Sequence, residues 1–260
     1  MSRRRAWLLS ASLIDLVFLY APIAVLILFS FNASRLSASW QGFTLQWYRL
    51  LAEDEALLAA VQNSLLVGLV STSVATLLGV CAAVGLERFP FRGQRMVEGA
   101  LLLPLVIPEV MMGVALMLFF MLITLPLSLV TVTIGHAAFN LPIVAVIVRA
   151  RLRKLDPGLE EAARDLGATA WQAFRQVTLP LLMPAILGAG LMAFTISLDD
   201  FIVTFFTAGP GSTTLPLKVY SMVKSSVTPE INALSAILVL VSMALIAASL
   251  ALQRKSPMQN

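Results

Sequence analysis

Six stretches of the chain are long apolar runs broken by few charges, at approximately 7–31, 61–86, 97–123, 127–148, 184–207 and 231–252. A helix rises 1.5 Å per residue, so about 20 apolar residues cross a hydrocarbon layer roughly 30 Å thick. Each run meets that length, and the pattern predicts six transmembrane helices in one all-α domain over 1–260. Only Thr124 to Pro126 separate the third and fourth runs, which predicts a tight turn and an antiparallel hairpin. A short helix is expected over Leu215–Val223. The connector 149–183 is charged yet patterned as helix, without the Gly/Ser character of a flexible linker.

Composition agrees with a membrane solvent. Hydrophobic residues make up 59% and charged ones 12%, where a soluble domain carries about 25% charge. A single cysteine, Cys81, excludes an internal disulfide and, in an apolar run, reads as a buried thiol. A single histidine, His136, builds no metal site and reads as a packed or hydrogen-bonded helix residue. The stretch Trp7–Phe31 is too long for a signal-peptide core and reads as a retained first helix.

Cationic residues orient the chain. With cytoplasmic termini, Arg3, Arg4, Arg5, Arg88, Arg92, Arg95, Arg149, Arg151, Arg153, Lys154, Arg164, Arg175, Arg254 and Lys255 lie inside. Only Arg35, Arg49, Lys218 and Lys224 lie outside. The net charge of +4 is therefore a matter of topology, and no nucleic-acid partner is expected. Trp40, Trp47 and Tyr48, in the first outer loop, are expected at the lipid interface.

The connector carries the most specific signal. Asp156 followed by Pro157 is a helix start, and Gly167 suits a helix end. Thr169 then caps a second short helix, ending near Leu179–Pro180. Glu161-Ala162-Ala163, three residues, Gly167, nine residues, then Val177-x-Leu179-Pro180 resembles the "EAA" signature of ABC-importer permeases, with Val177 in the place of isoleucine. The resemblance implies a type I ABC importer permease (MetI-like) fold. It also implies a coupling helix that docks on a cytoplasmic ATPase through Glu161, Ala162, Ala163, Gly167, Leu179 and Pro180. The sequence holds no Gly-x-x-x-x-Gly-Lys-Ser/Thr phosphate loop. The chain is therefore expected to be non-catalytic and to bind no cofactor, with ATP and Mg on the partner ATPase.

Further segments resemble the spermidine/putrescine permeases, second-subunit (PotC/PotI) type: Trp40-Gln41-Gly42-Phe43-Thr44, Pro108-Glu109-Val110, Ser197-Leu198-Asp199-Asp200 and Leu215 to Val223. That resemblance implies polyamine cargo and a bacterial inner-membrane location. The implied partners are a homologous PotB-like permease, a PotA-like ATPase dimer and a PotD-like periplasmic binding protein. The residues themselves point to cations independently. Acidic side chains inside a bilayer are costly and often line pathways; Glu109, Asp199 and Asp200 are the substrate-pathway candidates, with Asp15 a weaker one. Successive helical residues point about 100° apart, so Asp199 and Asp200 do not both face one pore. Pro104 and Pro108 free backbone carbonyls and can bend the third helix. The phenylalanines 194, 201, 205 and 206 offer packing or cation–π surface. From the residues alone, three alternatives stay open: a permease of this architecture for ferric ion, thiamine, sulfate or an opine, an ion-coupled secondary carrier, and a scaffold protein.

Overall fold

The structure, a computed structural model, describes residues 3–34, 39–225 and 229–254; Arg35 and Lys255 of the charge count lie outside them. Apolar length decides the architecture. Four helices are long and apolar enough to cross a membrane: within α1 (Arg3–Phe29), in α3 (Glu55–Arg88), in α6 (Leu129–Leu152), and over Ala170–Asp199. A fifth candidate is the pair α4 (Gln94–Val106) and α5 (Glu109–Leu122), bent by 110°. Around these stand α2 (Gln46–Glu53), α7 (Gly158–Asp165), α8 (Ala170–Ala173), α9 (Leu179–Asp199), α10 (Ile202–Thr207), α11 (Leu215–Ser225) and α12 (Pro229–Arg254). The sixth expected crossing falls in α12, whose stretch Pro229–Val241 is apolar.

Three expectations about helix extent change. The run 97–123 is not one helix. Pro108 cannot donate to the preceding turn, and it drives the residue before it into extended backbone; Ile107 takes φ −70°, ψ 133°. The run 184–207 breaks after Asp199, because Asp200 turns extended (ψ 116°) and starts α10. The second short helix of the connector does not stop near Leu179–Pro180. It runs from α8 through a π-helical turn, Phe174–Thr178, into α9. A proline at 180 would clash with the carbonyl of residue 176 in a regular α-turn; the wider turn relieves that crowding.

Two compact units share the chain. In the first, 1–58 and 219–260, α1 and α2 both pack on α12. The loop after α1 is organised by Asn32. Its Oδ1 accepts from the amides of Ser34 (3.3 Å) and Gln41 (2.8 Å), and its carbonyl accepts from the Trp47 indole (2.8 Å). Trp47 is thus buried rather than interfacial, while Trp40 is exposed. Tyr48 shares a 2.7 Å hydrogen bond with Ser30.

In the second unit, 59–218, α6 and α9 form the centre. Val144 and Val148 of α6 meet Leu182, Ala189 and Ala193 of α9, with Ala83 of α3 against them. α5 turns into α6 through Thr124, which takes φ 56°. The amides of Thr124 and Leu125 there return to the carbonyls of Met121 and Phe120. Cys81 is exposed on α3, against the expectation of a buried thiol.

Close helix approach in membranes needs small residues. At Gly79 a Cβ would lie 2.8 Å from Val144 Cβ and 3.0 Å from the Leu141 carbonyl oxygen. Gly79→Val should therefore destabilise the protein by about 1–3 kcal/mol through overpacking and lower its thermal midpoint in detergent; an unchanged midpoint would contradict this α3–α6 contact.

Candidate functional site

Two groups of polar residues stand out in the second unit, one at each end of α9. The first surrounds the break between α9 and α10. The Asp200 carboxylate accepts from the amides of Val203 (3.3 Å) and Thr204 (3.0 Å) and from the Thr204 hydroxyl (3.2 Å). It thereby satisfies the free amides of a new helix start, which is why α9 stops here. His136 of α6 is 3% exposed. Its Nε2 lies 2.9 Å from Asp200 Oδ2 and 2.9 Å from Thr204 Oγ1, while Nδ1 lies 2.7 Å from Ser197 Oγ. Ser197 in turn sits 3.2 Å from Ser71 of α3. Nε2–H donating to the carboxylate is the arrangement that satisfies every member.

Asp199 differs from its neighbour. It is exposed, and no hydrogen bond or ion pair engages it among the described residues. Glu109, the first residue of α5, is likewise exposed and unengaged. α10 packs along α5: a Cβ at Gly113 would lie 2.7 Å from the Phe206 ring and 3.4 Å from the Ile202 carbonyl oxygen. α10 also lies antiparallel to α6, with Thr131 bonded to the Thr207 carbonyl (2.8 Å) and His136 to Thr204. Because α5 and α10 share that direction, Glu109 and the Asp199–Asp200 pair stand at the same end of the trio. Phe201, Phe205 and Phe206 form a ring series beside them, with centroids 5.5 and 5.3 Å apart. Asp15 is exposed on α1.

The second group is the connector. Asp156 Oδ1 accepts from the Gly158 amide (2.9 Å) and starts α7. Gly167 takes φ +91°, and the amides of Gly167 and Ala168 return to the carbonyls of Arg164 (2.9 Å) and Ala163 (3.1 Å). This is a Schellman end, which only a left-handed residue permits. Thr169 and Gln172 form a reciprocal capping box at α8. The three local signals in the sequence are therefore used as the residues suggested.

Side-chain directions were not legible from the sequence. Glu161 and Ala162 are exposed, Ala163 and Leu179 half-buried, Gly167 and Pro180 exposed. Glu160 is the residue turned inward: both Nη atoms of Arg88 bind its carboxylate, and Thr178 Oγ1 donates to it at 2.8 Å. Arg88 also covers the Phe174 ring at 5.5 Å. Nearby, Arg149 joins Glu87 and Glu98, both at 2.7 Å, and Arg153 joins Glu87. A cleft of about 860 Å³ opens between the α3 end and the connector, with Glu161, Arg164 and Trp171 in its wall. Leu166 (90% exposed) and Trp171 (66%) present apolar surface beside those charges.

A family model for the binding-protein-dependent transport system inner membrane component matches residues 75–256. The chain belongs to that family, and its class is a multi-pass inner-membrane transport component, not a catalyst. It is 42% identical to the spermidine/putrescine transport system permease protein PotC of Escherichia coli (strain K12), over 94% of this chain and 92% of the relative. Against the putrescine transport system permease protein PotI of the same strain it is 41% identical, over 90% and 86%. PotC of Haemophilus influenzae is 38% identical, over 92% and 93%. Among solved structures, a bacterial ABC transporter involved in alginate import aligns with TM-score 0.73 at 19% identity, over 98% of both chains. An amino acid ABC transporter with histidines aligns at TM-score 0.60 and 18% identity, over 80% of this chain and 96% of that one. The fold is that of an ABC importer permease.

Two outcomes test this geometry. His136→Leu should destabilise the purified protein by about 1.5–3 kcal/mol, because it leaves a buried carboxylate short of a donor. Asp199→Asn should change stability by no more than about 0.5 kcal/mol; equal losses in the two variants would contradict the division of roles. Glu160 gives a pH test. Burial alone raises its pKa, but the hydrogen bonds of Arg88 and Thr178, with the charges of Arg88 and Arg164, hold it below the usual carboxylate range. A depressed pKa contributes stability above the unfolded-state pKa, and that contribution is lost as pH falls through the folded-state value. Thermal midpoints of wild type and Glu160→Gln should therefore differ at neutral pH and converge in strong acid.

Proposed function

We propose that this chain is one of two permease halves of an ATP-driven importer for polyamines of the spermidine/putrescine kind. A periplasmic binding protein delivers the cargo, and a separate cytoplasmic ATPase dimer hydrolyses ATP with Mg. The whole chain forms one permease domain of six crossings with both termini in the cytoplasm, where the positive charges concentrate. The observation that carries the cargo reading is Asp199, an exposed and unengaged carboxylate at the end of an apolar membrane helix. A charge there is expensive unless something cationic meets it. Glu109 supplies a second acceptor at the same end, and the phenylalanines alongside suit the methylene spacers of a polyamine. Asp200 serves the pathway through the backbone, by fixing the break that places Asp199. The likeness to PotC and PotI supports the same cargo class.

On the cytoplasmic side, α7 meets the ATPase. Glu161 and the apolar residues Leu166 and Trp171 form a face that mixes one charge with exposed hydrophobic surface, as docking faces do. ATP-driven closure of the partner moves this face and opens the helices outward, and after hydrolysis they relax to inward-open. An inside-negative potential favours cation entry by about 2.3 kcal/mol per charge per 100 mV. ATP adds accumulation against a gradient and control of the gate.

Proteoliposomes holding the whole complex, supplied with binding protein and labelled spermidine or putrescine, should take up label only with ATP inside the ATPase compartment. Glu161→Arg should lose both uptake and stimulated ATPase activity. Asp199→Asn should lose uptake while assembly stays intact. A wild-type complex that moves neither polyamine but accumulates another binding-protein solute would overturn the cargo reading and leave the importer reading standing.

A further inference from the structure

The acidic doublet of α7 faces two ways. Glu161 is exposed, whereas the Glu160 side chain is only 16% exposed and faces α3. Three segments distant in sequence meet at Glu160: the end of α3 through Arg88, α7 itself, and the π-helical turn through Thr178. Arg88 Nη2 also donates to Thr178 Oγ1 at 3.2 Å, and Arg164 lies 3.6 Å from the carboxylate. An exposed ion pair is worth little. This one is bidentate, partly buried and braced by a hydroxyl, a geometry with defined direction as well as energy.

The middle of α3 meets the far end of α9. Ser71 lies 17 residues before Arg88, roughly 25 Å along the helix, and Ser197 lies 19 residues after Thr178, roughly 28 Å along. Those two serines are hydrogen-bonded to each other and, through His136, to Asp200. α9 is thus fastened to α3 near both of its own ends, through Thr178 to Arg88 and through Ser197 to Ser71.

We propose that Arg88 and Glu160 are the coupling tie of this permease: positioning residues that pass a displacement of α7 to α3, in parallel with the continuous chain from α8 to α9. Movement at the connector then reaches the Ser71–Ser197–Asp200 cluster by two struts at once, and the break beside Asp199 shifts as a unit. The inference rests on the reading that a partner ATPase moves α7.

The test uses the whole complex in proteoliposomes and reads polyamine imported per ATP hydrolysed. Arg88→Ala, Glu160→Gln and Thr178→Val should retain ATPase activity, with the ratio falling at least about fivefold, the lower end of ordinary site-to-site coupling. The exchange Arg88→Glu with Glu160→Arg should recover much of that loss in the ratio, while the thermal midpoints of the single variants stay high enough for assembly. Single variants at the wild-type ratio, or a loss that the exchange does not relieve, would overturn the tie. Should the alanine variant fail to assemble, Arg88→Lys keeps the charge without the fork, and an unchanged ratio there overturns it equally. A wild-type complex without ATP-driven uptake would remove the importer reading, and the inference with it; wild-type uptake with unaffected variants removes the tie alone.

Discussion

Hydrocarbon offers no hydrogen bonds, so every interruption of a helix inside it must be satisfied by the protein itself. This chain interrupts its helices at Ile107–Pro108, at Asp200 and, more gently, over Phe174–Thr178. At Asp200 the constraint is met almost entirely by one carboxylate, which takes two backbone amides, a hydroxyl and an imidazole. Because those four partners come from two helices, the break also pins α10 and α6 together. Asp199 is left over, an exposed acid that no described residue engages.

The opposite end of the unit is held by charge instead. Glu87, Glu98 and Glu160 each face arginines, and Arg149 is shared between two of them. These pairs bind α3, α4, α6 and α7, and at Glu160 the hydrogen bonds of Arg88 and Thr178 and the charges of the arginines outweigh the desolvation that burial imposes. Between the two ends the contacts are mostly apolar side chains and glycines, with buried polar atoms of Thr72, Thr76 and Asn140 among them. Apolar packing of that kind resists compression, yet it has no directional bonds to break when helices slide. The second unit thus has an apolar middle between polar fastenings at its two ends.

Much of this was legible in the chain, where the signal was local. The apolar runs, the Asp156 cap, the left-handed Gly167 and the Thr169 box each depend on neighbours a few residues away, and each is used as its chemistry suggests. Pro108 announced a bend but not its angle, which is set by what α5 packs against. The break at Asp200 was hidden because it needs His136, 64 positions earlier by their numbers, and the adjacent Thr204. The EAA signature singles out Glu161, but nothing local in the sequence says that Glu160 turns inward. Their roles divide only once Arg88 is in place, and a partner at that separation leaves no periodic trace. Cys81 and Trp47 failed in opposite directions for the same reason: apolar context says that a residue avoids water, not whether protein or lipid surrounds it.

The π-helical turn has a consequence for angular phase. Such a turn amounts to one extra residue in an α-helix, and one residue corresponds to about 100° of rotation. The compass bearing of every side chain on α9, from Leu182 in the core to Ser197 at the far end, is thus set relative to α8 by the five residues Phe174–Thr178. Removing one residue there would leave each helix intact yet swing Ser197 a quarter-turn or more from Ser71 and His136. The dial that aligns the two ends of the second unit therefore sits at the base of α9, far from the carboxylates it aims.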